Sequence, residues 1–206
     1  MLKYLRILML TGLVFIFSKN TTAQTFEAGI LAGINLSQLH GDGLAGFNQI
    51  GLNAGGRVAI TPSDRWKWSL DLVFSQKGSN KSTDDNPAIE FESFRLNYTE
   101  VPIMVHYMDW LEEDSDEEFY KLHFHAGVAW GRLLDFKVID VNEVDISDSQ
   151  DFNRNMFDLL FGATFFINSK FGITGQYSIT VNNVRKDKTE QSLQGRTLTF
   201  RGVYLF

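Results

Sequence analysis

The sequence predicts an all-β fold: an eight-stranded antiparallel up-and-down transmembrane β-barrel with a filled polar lumen, formed by residues 24–206. First, apolar and polar residues alternate with a period of two in one segment after another, the mark of strands whose two faces meet different surroundings. Second, the chain is 14% aromatic, with 17 Gly and 3 Pro, yet its mean hydropathy is only −0.13. A helical membrane protein would be far more apolar, whereas a barrel halves its average because lipid-facing and lumen-facing residues alternate. Third, the closing stretch GRTLTFRGVYLF puts Leu198, Phe200, Gly202, Tyr204 and Phe206 on one face and Thr197, Thr199 and Arg201 on the other. A strand that finishes on an aromatic is at home at a membrane–water interface.

Residues 1–23 read as a separate object. Lys3 and Arg6 give a positive start, Ile7 to Phe17 is an apolar run, and Thr21-Thr22-Ala23 supplies small residues for cleavage. The run is shorter than the roughly 20 residues that span a bilayer, so a signal peptide cleaved near Ala23 is expected. Its removal takes away three bases and no acids, which moves the net charge from −6 to −9 and argues against nucleic acid as a partner. The chain has no Cys, so neither disulfides nor thiolate chemistry is available to it. No cofactor is called for.

The strands follow in order. The first runs from Thr25 to Leu39, and His40-Gly41-Asp42-Gly43 turns the chain. The second, Phe47 to Thr61, ends at the turn Pro62-Ser63-Asp64. The third, Trp66 to Gln76, leads to a polar loop from Gly78 to Glu92. The fourth, Phe94 to Tyr107, contains Pro102, which removes a ladder donor and is expected to sit at a bulge or kink. An acidic turn, Asp109 to Glu118, precedes the fifth strand, and a polar loop from Leu134 to Asn155 follows that strand. The sixth, Met156 to Asn168, and the seventh, Phe171 to Val184, meet at Ser169-Lys170. The loop Arg185 to Gln194 delivers the eighth.

Side-chain volume decides which face points out. The interior of an eight-stranded barrel is just wide enough for side chains to fill, and it could not take most of 18 Phe, 4 Trp and 6 Tyr. Turned outward, those rings make a lipid-facing band with interfacial girdles. The short turns after strands two and six then lie on the periplasmic side with both ends of the barrel, and the longer loops lie outside. The lumen receives Glu27, Asp71, Glu100 and Asp158 together with Arg57, Lys67, Lys121 and Arg201. Buried charges persist only when paired, so a salt-bridged plug without an open pore is expected.

Several stretches carry a family resemblance. Gly29 to Asn35 (GILAGIN), Leu72 to Gly78 (LVFSQKG) and Leu96 to Pro102 (LNYTEVP, with Tyr-x-Glu-x-Pro) occur in an order and spacing that resemble the outer-membrane β-barrel family of Bacteroidetes, to which PorT-type proteins belong. The chain departs from that pattern at Asp71, where Glu is expected. The closing strand is similar to those in which a final aromatic is read by the barrel assembly machinery, which makes Tyr204 and Phe206 the expected assembly signal. The resemblance implies a location in the outer membrane, among its lipids. It also implies, as one possible role, an accessory in a protein secretion complex.

Chemistry beyond this is sparse. His106, His123 and His125 with Glu100 are candidates for a metal site, the alternative being ordinary lumen lining. A membrane-embedded hydrolase would rest on His40 and Asp42, which read more simply as a turn. The acidic turn carries seven carboxylates without the ligand spacing of an EF-hand; it is a solvated turn, a docking surface for a basic periplasmic partner or a loose divalent-cation site. The expected role is non-enzymatic, structural or interactive, exercised through the loops and the periplasmic face, with a secretion accessory, a hydrolase and a small-solute channel as alternatives.

Overall fold

The computed structural model describes residues 25–40, 46–81, 91–113, 118–140, 142, 144–147, 152–185 and 193–206. They form β1 (Thr25–His40), β2 (Gln49–Ser63), β3 (Trp66–Asn80), β4 (Phe91–Glu112), β5 (Phe119–Asp140), β6 (Asn155–Phe166), β7 (Phe171–Thr180) and β8 (Gln194–Leu205). Each strand pairs antiparallel with the next. β8 returns to β1 from Gly29↔Leu205 to His40↔Gln194, which closes the barrel and removes every sheet edge within it. The expected signal peptide, Asp42, and residues 114–117 of the acidic turn lie outside the described residues.

Alternation sorts the two faces. Phe26, Ile30, Leu52, Trp68, Leu72, Val128, Phe157 and Phe200 stand on the outside, between 49% and 66% exposed, while Asn35, Arg57, Asp71, Glu100, Asp158 and Arg201 are buried inside. Soluble monomers rarely expose contiguous apolar patches beyond a few hundred Å². A continuous band of this kind is stable only against lipid.

Strand ends differ from the sequence reading, and at three of them the alternation runs further than the turn residues suggested. β3 continues through Lys77 to Asn80. β4 takes in Asp109 to Glu112. β5 continues through Leu134 to Asp140, so the first third of the expected outer loop is strand paired to β4. β7 stops at Thr180, short of Val184.

The expected bulge at Pro102 is also absent. β3 and β4 hold one register from Leu70↔Ile103 to Val73↔Glu100, and the ladder passes over Pro102, which has no N–H to give, without shifting. The irregularities between β4 and β5 fall at Phe91/Ser93 and Asn97/Tyr98. At the second, Leu134 is the extra residue, and the inward parity of β5 changes there from odd (Leu133) to even (Phe136, Val138).

β4 and β5 overhang their neighbours at both ends. On the side of the short turns β3 meets Tyr107 at its first residue, Trp66, and β6 meets β5 no further down than Leu122, yet β4 continues to Glu112. Within this overhang Trp110 has φ 57°, a left-handed conformation that a bulky residue rarely adopts. That conformation carries its ring to the outside of the barrel, 6.2 Å from Phe165 and 5.6 Å from Lys121 Nζ.

Candidate functional site

The lumen holds two ion-paired clusters built from strands on opposite walls. In the first, Asp71 on β3 receives Arg57 of the neighbouring β2 at two points, Nε to Oδ1 and Nη2 to Oδ2, both at 2.8 Å. Arg201 on β8 reaches the same carboxylate from across the barrel at 3.4 Å and also donates to Gln176 and Asn53. In the second cluster, Lys77 on β3 lies 2.7 Å from Glu100 of β4 and 2.7 Å from Asp158 of β6. The first cluster is two cations on one anion and the second is one cation between two anions, so their net charges are opposite and the lumen as a whole is balanced. Asn35 ties the layers together: it donates to Ser75 and to the Gln76 carbonyl, and it accepts from Thr199.

Of the eight expected lumen charges, Arg57, Asp71, Glu100, Asp158 and Arg201 meet in these clusters, and Lys67 pairs with Glu27 at 2.7 Å nearer the periplasmic mouth. Lys121 does not enter. It sits at the rim, paired with Glu112 at 2.5 Å and beside the Trp110 ring. Its place is taken by Lys77, which the sequence reading left at the border of a loop. The signal for Lys77 was present: the polar odd positions of β3 run on through Ser75, Lys77 and Ser79. Asn35, Lys77 and Glu100 belong to the three stretches singled out by resemblance, and the barrel brings those stretches together in this layer.

The three buried imidazoles form a separate group. His106 pairs in register with His125, with ring centroids 5.2 Å apart, and lies 6.5 Å from His123. His106 Nε2 bonds to Ser69 Oγ at 2.8 Å, and His123 Nε2 to the Tyr120 carbonyl at 3.1 Å. Glu100 is not with them, since it is held by Lys77. Among the described residues no three His, Cys, Asp or Glu side chains are arranged to hold a metal ion. Of the hydrolase candidates, His40 closes β1 opposite Gln194, and Asp42 lies outside the described residues.

The ends of the lumen differ. The periplasmic mouth opens into a vestibule of about 400 Å³ whose walls include Glu27, Asp64, Glu118, Lys67, Tyr120 and His123. At the outer end the expected polar filling gives way to an apolar one. Leu39, Phe94, Leu96, Tyr98, Leu133, Val138, Phe152, Met156, Val184 and Leu193 pack into a buried cluster over the ion pairs. The space between this cap and Lys77 is about 10 Å³, the room of a single water at most. Sequence reading missed the cap because three of its residues, Val138, Phe152 and Leu193, come from segments taken as polar loop. Beyond it, the Val144 backbone N–H and the Asn142 amide donate to Asp140, which holds that carboxyl below the usual carboxylate range.

An apolar exterior around a closed ring of strands, with charge confined to an ion-paired interior, defines an integral membrane β-barrel. The chain belongs to the family described as outer membrane protein beta-barrel domain, whose model matches residues 21–186, and this places it in the bacterial outer membrane. Among solved structures it is similar to Ail, the attachment invasion locus protein of Yersinia pestis, at 14% identity over 87% of this chain and 98% of that one, with a TM-score of 0.47. It is also similar to Neisserial surface protein A, at 11% identity over 88% and 97% with a TM-score of 0.48. CarO of Acinetobacter baumannii is 14% identical over 88% and 99%, with a TM-score of 0.41. No curated protein matches the chain.

Proposed function

We propose that this protein is a sealed, non-enzymatic outer-membrane barrel that acts as an interaction platform and presents its periplasmic face to a basic protein partner. The observation that carries this reading is the β4–β5 overhang. It projects beyond its neighbours beside a vestibule lined by Glu27, Asp64 and Glu118, and Asp109, Glu113 and Glu118 are exposed on it. Three cations at this rim are engaged: Lys67 by Glu27, Lys121 by Glu112, and Arg65 by Tyr107 and, at 3.8 Å, by Asp109. A surplus of carboxylates attracts a basic surface. The filled lumen supports a role at the ends of the barrel over transport through it.

The resemblance to PorT-type proteins supports a finer version, in which the partner is a component of a protein secretion complex. Cross-linking the tagged protein in native outer membranes and identifying what is recovered tests both versions. The reading expects a periplasmic or secretion protein whose recovery falls when Asp109, Glu113 and Glu118 are changed to Asn or Gln. Recovery of the barrel alone, or a partner indifferent to those changes, contradicts it.

A further inference from the structure

The outward face of β4 and β5 changes character above the lipid band. Climbing away from the periplasm, the cross-strand pairs are Ile103↔Val128 and Val101↔Trp130, then Thr99↔Arg132, Asn97↔Asp135 and Arg95↔Lys137. Trp130 is the last large ring before these polar pairs. Arg132 lies two residues above it, about 7 Å along the strand, and a Trp that ends an apolar ladder is at home at the headgroup level. Arg154, exposed at the approach to β6, lies beside it: its carbonyl accepts from the Leu133 N–H, and Arg132 Nη1 donates to Asn155 Oδ1 at 3.0 Å. Arg95 and Lys137 form a second, higher tier.

Two features make this more than scattered surface charge. Arg95 and Lys137 are directly opposite each other on adjacent strands, an arrangement that costs stability unless an anion is shared between them. Asp145 is 3.9 Å from Lys137, but both side chains are more than half exposed, so water weakens that pair; Asp135 is the other acid of these cross-strand pairs among the described residues. In addition, Arg154 forms one wall of a notch of about 370 Å³ whose other walls include Leu134, Phe136 and Phe152. That notch sits where β5 leaves β6.

We infer that this face is a docking surface for the phosphorylated sugar headgroup of an outer-leaflet glycolipid, with Arg132 and Arg154 taking the phosphate nearest the membrane and Arg95 and Lys137 one higher up. The headgroup of an ordinary phospholipid reaches the lower tier only. A phosphorylated oligosaccharide spans both, and its rings supply the mixed polar and apolar surface that the notch accepts. Guanidinium is the group best matched to phosphate, through two parallel N–H donors, and three of the four cations are Arg.

The test is a titration of the detergent-folded barrel with rough lipopolysaccharide, whose lipid and inner-core sugars both carry phosphates, followed by native mass spectrometry. The expected result is a bound glycolipid whose affinity falls about tenfold or more, roughly 1.4 kcal/mol per decade, in R132Q/R154Q and again in R95Q/K137Q. Enzymatic removal of the phosphates is expected to abolish the difference between variant and parent. A control pair at the opposite rim, R65Q/K170Q, is expected to bind as the parent does. Each variant is first shown to be folded by its mobility shift between unheated and boiled samples. Equal binding by the basic-face variants, an equal loss in the control, or binding unchanged by dephosphorylation would overturn the inference. Loss from the lower tier alone would overturn the sugar-headgroup assignment.

Discussion

Arg57 and Asp71 stand directly opposite each other on β2 and β3, and their side chains meet through two parallel bonds of 2.8 Å inside the barrel. The pairing depends on an irregularity between Ile60 and Ser63, which shifts the register by one residue. Without that shift Arg57 would stand opposite Leu72, whose side chain points to lipid, because a one-residue slip exchanges the faces. Asp71→Asn keeps the shape but leaves two buried guanidinium groups without their anion. A loss of about 3–5 kcal/mol is expected, read from denaturant unfolding followed by the mobility difference between unheated and boiled samples. Arg201→Met should cost less, since the Arg57–Asp71 bond survives it.

The second cluster has the opposite imbalance. Lys77→Met leaves Glu100 and Asp158 facing each other with no cation between them, and the loss should again be about 3–5 kcal/mol. Adding Glu100→Gln and Asp158→Asn to that change removes both charges, and most of the lost stability should return. A triple variant as unstable as the single one would show that Lys77 acts through packing and not through charge.

Gly33 marks the closing seam. A Cβ there would run into the Phe200 carbonyl oxygen and the Arg201 backbone on the facing strand, so Gly33→Ala should cost about 1–3 kcal/mol through forced backbone displacement. Gly175 faces outward, and the nearest atom to an added Cβ is 3.9 Å away. Gly175→Ala should stay within about 0.5 kcal/mol of the parent. Equal effects in the same unfolding assay would contradict the close approach of β1 and β8.

The outer cap should open on its own. Phe152 is buried against Phe136 and Phe94, with ring centroids 4.9 and 6.4 Å apart. Phe152→Ala should cost the cap about 3–5 kcal/mol while the ion-paired layers below hold, because locally packed units unfold separately. Limited trypsin treatment should then cut at Lys137 or Arg154 and leave a barrel that still shifts mobility on boiling. Loss of that shift would mean that cap and barrel form one cooperative unit.

Much of this architecture was legible in the sequence because a strand's faces follow from parity alone. Arg57, Asp71, Glu100, Asp158 and Arg201 were assigned to the lumen by counting in twos. What parity cannot show is where the count slips and where it stops. The shift at Ile60/Ser63 falls on Pro62, which reads equally well as the start of a turn, the extra residue Leu134 leaves no compositional trace, and Pro102, the residue that looked like a bulge, is absorbed by a skipped pair. Strand ends were misplaced where polar residues continued the alternation, so Lys77 was left out of the lumen. Lys121 has the right parity but lies too near the rim. The cap was hidden for another reason: Phe152, Val184 and Leu193 are isolated apolar residues in polar stretches, and only the fold brings them together.

The sealed lumen is tested most directly by inserting the purified, folded protein into planar lipid bilayers and recording current under an applied voltage. The two ion-paired clusters and the apolar cap predict no stable conductance steps from the parent protein at any voltage the bilayer withstands. Discrete, reproducible ohmic steps from the parent would mean that the barrel carries a continuous aqueous path. That result would contradict the proposal that it works only through its two ends.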